Sequence, residues 1–549
     1  MVEKRIYAPG EHYDYQLLIK HILETSLAGQ PDQDIVYRDQ FRMNYKTLNE
    51  RIQRLANSLE KLGVRQGDPV CIFDYDSHRY LESFFAVPMM GAVLHTQNWR
   101  LSPEQILYTM NHAEDRVVLI HADFLPMLEA IWDKLKTVKK VVLLTDEKRK
   151  PASSIPFAGE YEELLASSSP FYDFPEFDER TRATTFYTTG TTGLPKGVYF
   201  SHRQLVLHVQ AQLIMHGSYK SIGRFRSDDV YMPLTPMFHV HAWGLPYSAT
   251  LLGVKQVYPG KYEPEMILKL IEKEKVTFSH CVPTILQMVL NSLNAKKTDL
   301  SNWKVVIGGS RLTRGLALTA MDFGIDIFTG YGMSETCPLL AGTSCLKPWM
   351  LKEPKERQVD IRIKSGRPAP FVYMDIFDAM GMKVPHDGVS TGEICVRAPW
   401  LTESYHNDHE RAKDLWQDGW LHTGDIGYID PEGFLQVTDR IKDVIKTGGE
   451  WISSLDLENL LSQHEAVLEA AAIGVPDAKW GERPFMIVVI KPEFKEAVTG
   501  KDLHRFMLEQ ANAGKIPKYG VPDQIKLVDA IPKTSVGKIN KIELRKIYP

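Results

Sequence analysis

Apolar positions in the first half of the chain alternate between two periods. Leu48, Ile52, Leu55, Leu59 and Leu62 share one face at helical spacing, and Gly63 ends the run. "PVCIFDY" then reads as a buried strand. "EQILYTMNHAED" reads as a helix and "RVVLIHA" as a strand, and "FLPMLEAIWDKLK" followed by "KKVVLLTD" repeats the order. Such alternation predicts an α/β fold with parallel strands covered by helices on both faces. "PASSIPFAGEYEELLASSSP" is rich in small and turn-forming residues and reads as a surface connection. A second break falls near Asp439. Beyond it, "LDLENLLSQHEAVLEAAAIGVP", "PFMIVVIKP", "LHRFMLEQA" and "IKLVDA" form an alternating unit of roughly one hundred residues, the size of a small domain. The expected organisation is a large N-terminal α/β domain of several subdomains (1–438), a connection (439–446) and a small C-terminal α+β domain (447–549).

A chain of 549 residues exceeds one ordinary core, which agrees with that division. Hydrophobic residues at 44% and charged residues at 24% are an ordinary globular profile. A formal net charge of −4 and the lack of a long basic run point away from nucleic acid. The first residues lack the charged-then-apolar order of a signal peptide, and no apolar run approaches the ~18 residues of a spanning helix. Five scattered cysteines without a C-x-x-C pair suggest neither a disulfide framework nor a zinc site. A reduced, cytoplasmic setting is expected.

One segment suits no core. "YTTGTTGLPKG", at 187–197, packs four threonines, three glycines and a lysine between a β-branched run and a strand that leads into a helix. Glycines permit close backbone approach, and hydroxyl and amide groups can surround phosphate oxygens, with Lys196 adding charge. A polyphosphate cradle is the functional reading and a flexible loop the bland one. It is not a Walker A loop: counted from Gly190, Pro195 takes the place of the second glycine and Gly197 that of the magnesium-binding hydroxyl.

The segment resembles the AMP-binding signature of the adenylate-forming superfamily, which includes acyl-CoA synthetases, amino-acid adenylation domains and luciferases. "PMFHVHAW" (236–243), "GYGMSET" (330–336), "GWLHTGD" (419–425), "DRIKDVIKTGGEW" (439–451) and "PKTSVGKI" (532–539) follow in the family's order. On side-chain chemistry alone, His239 and Tyr331 would serve equally as packing groups, Asp425 as a helix cap, and Arg440, Lys442 and Lys446 as a solvated face.

The resemblance implies more. Thr188, Thr189, Gly190, Thr191, Thr192, Gly193 and Lys196 would hold ATP phosphates. Glu335 would hold Mg²⁺ with Thr188 as partner. Gly309, Ser310, Thr329, Gly330, Tyr331, Gly332, Ser334 and Thr336 would surround the adenine, and Asp425 would take the ribose. Arg440, Lys442 and Lys446 would lie around ribose and phosphate. Lys538 would bridge the attacking carboxylate and the α-phosphate, with Glu335 and Lys442 as further catalytic residues. The C-terminal domain would be mobile and rotate about Lys442 to present Lys446, Gly448, Gly449 and Trp451 to coenzyme A. His239 would border both the nucleotide and the acyl group, and Trp243 would face the acyl group as a gate with Gly244 giving its ring room.

The implied activity is an AMP-forming acyl-CoA synthetase using ATP, Mg²⁺, coenzyme A and a carboxylic acid. "FHVHAW" has no Asp or Glu to meet a substrate ammonium, which disfavours amino-acid activation. The motif set looks most like the bacterial and archaeal medium- to long-chain fatty acyl-CoA synthetases. That branch includes ligases for methylthiopropionate and hydroxy acids, and its long-chain members often form homodimers through the N-terminal domain. A nucleotide-binding relative without ligase activity is the alternative of a different class, and the intact Lys538 speaks against it.

Overall fold

A computed structural model describes residues 15–188, 194–219, 222–344, 348–448, 450–534 and 537–549. The N-terminal region contains two large sheets whose inner strands are parallel. Strands Phe157–Glu160, Lys140–Leu144, Val117–His121, Pro69–Phe73, Val93–Thr96, Arg182–Thr188 and Lys196–Ser201 are neighbours in that order in a seven-stranded sheet. Only the last pair is antiparallel, and it carries the 187–197 segment as its connection. The nine-stranded sheet includes Val230–Leu234, Phe278–Cys281, Lys304–Ile307 and Asp326–Gly332. The inner strands of both sheets are almost wholly buried, as parallel sheets covered on both faces require. The helix Tyr45–Lys61 buries Leu48, Ile52, Leu55 and Leu59 as its periodicity predicts, and Asn44 caps its start by accepting from the Thr47 amide.

An antiparallel five-stranded sheet follows, built on Tyr373–Phe377, Gly392–Arg397 and the long strand Trp420–Ile429. Leu435–Arg440 pairs with that last strand, aligning Asp425 with Arg440. The chain then crosses to a second antiparallel unit: Ile445–Thr447 joins Glu450–Ile452, Val467–Asp477 and Gly481–Ile490, flanked by the helices Ser454–Leu461 and Gly500–Asn512. This smaller unit has its own core, including Leu457, Leu461, Val488, Leu503 and Met507.

Two local readings need correction. "FLPMLEAIWDKLK" is not one helix: it breaks into Ala122–Phe124, Leu125–Glu129 and Trp132–Lys134. The supposed surface connection at 151–170 contains the strand Phe157–Glu160 and the helix Tyr161–Ala166. Tyr161 and Leu165 are buried there, and the Tyr161 hydroxyl donates to Glu82 at 2.6 Å. The apolar positions of so short an element are too few to show a period, and tertiary burial decides its state.

Candidate active site

A cleft of about 1510 Å³ opens between the N-terminal region and the smaller unit. It is lined by Thr188, Lys196, His239, Gly309, Ser310, Thr329, Gly330, Tyr331, Gly332, Ser334, Glu335, Asp425, Arg440, Lys442 and Lys538. Residues separated by up to 350 positions thus meet in one place. The strand ends deliver them: Thr188 closes one strand, Lys196 opens the next, and Gly330 to Gly332 end the strand from Asp326. This is where open α/β sheets bind ligands. Thr189, Gly190, Thr191, Thr192, Gly193 and Gly449 lie outside the described residues.

Neighbouring side chains hold both carboxylates. Asp425 accepts from the Tyr331 hydroxyl at 2.8 Å and pairs with the Arg440 guanidinium at 3.1 Å. Glu335 accepts from the Tyr405 hydroxyl at 2.8 Å, and Lys196 stands over the Tyr405 ring, its ammonium 4.5 Å from the centroid. Glu335 and the Thr188 hydroxyl are oxygen donors on the wall of one cleft. That set suits Mg²⁺, which takes few protein oxygens and fills its octahedron with phosphate and water.

Lys538 enters from the smaller unit. Its Cε would lie 3.4 Å from a Cβ placed on Gly309, and the Gly537 carbonyl accepts from the Thr284 hydroxyl at 3.2 Å. Burial pushes the ammonium down to about 8; Arg440 and Lys442 act in the same direction, against Asp425 and Glu335. Other contacts between the units include Arg311 with Asp456 at 2.6 Å, the Arg314 amide with the Asn459 side chain at 3.2 Å, and Gln287 with the Leu468 carbonyl at 3.0 Å. Polar contacts of this kind suit units that part and re-dock.

The 236–244 segment has an unusual backbone. Val240, His241, Ala242 and Trp243 have φ of 49°, 55°, 48° and 59°, and Gly244 follows at 73°. This is a left-handed turn, which costs about 1–2 kcal/mol per non-glycine residue. Its surroundings hold it. Gln212 donates to the Trp243 carbonyl at 2.7 Å, His241 meets the Thr184 hydroxyl at 2.8 Å, Thr96 donates to the Phe238 carbonyl at 3.0 Å, and Asp76 accepts from the Met237 amide at 2.8 Å. The turn sets the edge of the Trp243 indole against the Gly308 backbone: a Cβ on Gly308 would stand 2.9 Å from the ring. The space that Gly244 leaves open faces His208 rather than the indole. A Cβ there would meet the His208 ring at 2.8 Å, so glycine at 244 makes room for His208, and its positive φ is strain-free only for glycine. Burial, then Lys538, pushes His239 down to about 3, so this histidine is neutral.

Several expected positions stand apart from the cleft, Trp243 in the small cavity behind it and Thr336, Lys446, Gly448 and Trp451 elsewhere. Thr336 is fully buried, and its hydroxyl is engaged with the Met333 and Pro338 carbonyls. Lys446 is exposed on the hairpin of Ile445–Thr447 and Glu450–Ile452, paired in register with Trp451. Gly448 shares that hairpin; its amide donates to the Trp480 carbonyl at 2.7 Å. Thr329 lines the cleft, but its hydroxyl bonds the Lys364 carbonyl. Gly332 has a steric reason to be glycine, since a Cβ would overlap the Pro338 carbonyl. Tyr405 and Trp480 were not anticipated, because no glycine pattern or spacing marks either one.

The chain matches the family model for AMP-binding enzymes over residues 23–406 and that of the AMP-binding enzyme C-terminal domain over 456–538. It belongs to the AMP-binding enzyme family. A long-chain-fatty-acid–CoA ligase of Thermus thermophilus is 40% identical over 98% of this chain and 97% of its own. A 3-methylmercaptopropionyl-CoA ligase of Ruegeria lacuscaerulensis is 39% identical over 92% and 91%. Among solved structures, an anthranilate CoA ligase in complex with anthranoyl-AMP aligns with a TM-score of 0.85 at 25% identity, covering 97% of this chain and 98% of that one.

Proposed function

We propose that this protein activates a medium- or long-chain fatty acid in the cleft around Lys538, then transfers it to coenzyme A after the smaller unit has turned. It is an AMP-forming acid–CoA ligase with ATP and coenzyme A as substrates. The observation that carries the assignment of roles is the meeting of Lys538 with Glu335, Asp425 and His239 in one cleft. A carboxylate approaching the α-phosphate meets like charge. A cation fixed between the two anions lowers that barrier most in the transition state. Lys196 and Thr188 would steady the phosphates, Asp425 the ribose hydroxyls, and Gly309, Ser310 and Tyr331 the adenine. Glu335 with Thr188 would hold Mg²⁺, which supplies charge neutralisation on the phosphates when bound. The connection at 439–446, with Lys442 within it, would serve as hinge, and the Gly448 hairpin with Lys446, Gly449 and Trp451 as the coenzyme A face. A homodimer follows from the resemblance to long-chain enzymes. A cytoplasmic location is supported by the buried free cysteines Cys71, Cys281, Cys337 and Cys395. Pyrophosphate release with ATP, coenzyme A and acids of increasing length tests the substrate assignment; release only with acids of a few carbons would refute the fatty-acid reading.

A second reading has its own support. The small cavity behind His239, about 60 Å³, is lined by Trp243, Leu245, Val306 and Leu339 but also by Gln212 and His216. A short acid with a polar or thioether end would suit it. Trp243→Ala separates the two readings. If the indole closes a tunnel, the preference for long over short acids should rise roughly tenfold, since one methylene in an apolar pocket already carries that much discrimination. Thermal unfolding in the same variant supplies the control: a large loss of stability with an unchanged length profile would mean that Trp243 only packs.

The lowered ammonium of Lys538 predicts a pH effect. The amine is cationic below its pKa and loses its proton above it. Since kcat/KM reports the free enzyme, adenylation measured that way should fall as pH rises through about 8. Lys538→Arg, cationic at every accessible pH, should abolish that fall. A wild-type profile that stays level well above pH 8 would contradict the role.

A further inference from the structure

Beside the ribose-side wall of the cleft stands a cluster to which the proposed function gives no ligand-binding role. Cys395 lies between Asp375 and His422 on adjacent antiparallel strands, so the three side chains share one face of the sheet. Glu393, two residues before Cys395, completes the group. The His422 Nδ1 lies 2.8 Å from Glu393 Oε2 and 3.5 Å from Cys395 Sγ. One ligand atom from each of Glu393, Cys395 and His422 falls within 4.8 Å of the other two. Asp375 is engaged elsewhere, by Lys383 at 2.6 Å and His386 at 3.3 Å.

We propose that Glu393, Cys395 and His422 form a binding site for one thiolate-preferring divalent ion of the Zn²⁺ class. The geometry is close to what such an ion needs. Tetrahedral zinc with ordinary bond lengths places sulfur and nitrogen ligands about 3.6 Å apart and nitrogen and oxygen ligands about 3.3 Å apart. The sulfur–nitrogen edge is already present, and the nitrogen–oxygen edge must open by about half an ångström. Glu393 and His422 line the open cleft, so an ion has a path and a solvent-side fourth position. Among the described residues a second Cys–His–carboxylate cluster, Cys71, His95 and Asp115, is wholly buried and lines no part of the cleft.

The donor set excludes Mg²⁺, which takes oxygen ligands, and so distinguishes this site from the one suited to Glu335. On binding, the Cys395 S–H bond breaks, its proton goes to solvent, and the thiolate bonds the ion. The His422 ring, which donates from Nδ1 to Glu393 without the ion, carries its proton on Nε2 with it. Glu393 Oε1 meanwhile accepts from the Gly424 amide at 3.0 Å, so it also orients the turn that bears Asp425. The ion therefore anchors the residue before the ribose carboxylate.

The test is a Co²⁺ titration of the full-length chain without nucleotide. A single equivalent should give the near-ultraviolet band of a cobalt–thiolate bond. Excess Mg²⁺ should leave that band intact, Zn²⁺ should displace it, and folded Cys395→Ser should lack it. Glu393→Gln, which keeps the thiol, should weaken binding roughly tenfold or more. Absence of the band in the wild type, its persistence in Cys395→Ser, or unchanged affinity in Glu393→Gln would overturn the proposal.

Discussion

Lys538→Ala should lower the rate of acyl-adenylate formation about 10²- to 10³-fold, the usual cost of removing one preorganised charge or donor from a transition state. Thioester formation from supplied acyl-AMP should stay within a few-fold of wild type. The side chain comes from the smaller unit and reaches the cleft beside Gly309, so its removal leaves the phosphate and ribose walls in place. The stability cost should be small, since desolvation in the fold works against the Lys538 charge rather than for it. Single-turnover measurements of the two half-reactions check this. Equal losses in both, in a folded variant, would remove Lys538 from its assigned step.

The converse separation should come from the hairpin. Gly448 sits at φ 61° in the tight connection between Thr447 and Glu450, which pair across it. A Cβ there would approach the Trp480 ring to 3.0 Å. Gly448→Val should strain the turn by about 1–2 kcal/mol and thicken a loop that lies outside the cleft in this arrangement. Adenylation should stay within about twofold, because no cleft residue moves. Thioester formation should fall on the order of 10²-fold, the penalty for misplacing a reacting group by an ångström. Unimpaired thioester synthesis in this variant would show that the hairpin does not meet coenzyme A.

Much of the frame was legible in residue order. The helix from Tyr45 and the buried strands from Pro69 and Val117 have clear periods, because each presents several apolar positions to one core. Glu335, Asp425 and Lys538 stand in short polar segments with glycine, where a core has no use for charge. What stayed hidden depends on contacts between distant segments. Tyr405 supports Glu335 from 70 positions away, and nothing near it in the chain announces that task. Trp480 covers Gly448 from the far end of a long hairpin. The left-handed turn at Val240 to Gly244 runs against local preference at four residues and exists because Gln212, Thr184, Thr96 and Asp76 hold it. Only the folded surroundings can override propensity in that way.

Attack of a carboxylate on the α-phosphate is the central chemical claim, and one isotope measurement tests it directly. The enzyme is given ATP, coenzyme A and an acid whose carboxylate oxygens carry a heavy-oxygen label. If acyl-AMP forms in the cleft, the bond to phosphorus is made by a carboxylate oxygen and survives thiol attack at the carbonyl. One labelled oxygen per turnover must then appear in AMP and none in pyrophosphate. Label found in pyrophosphate or inorganic phosphate, or AMP released without label while thioester accumulates, would contradict it.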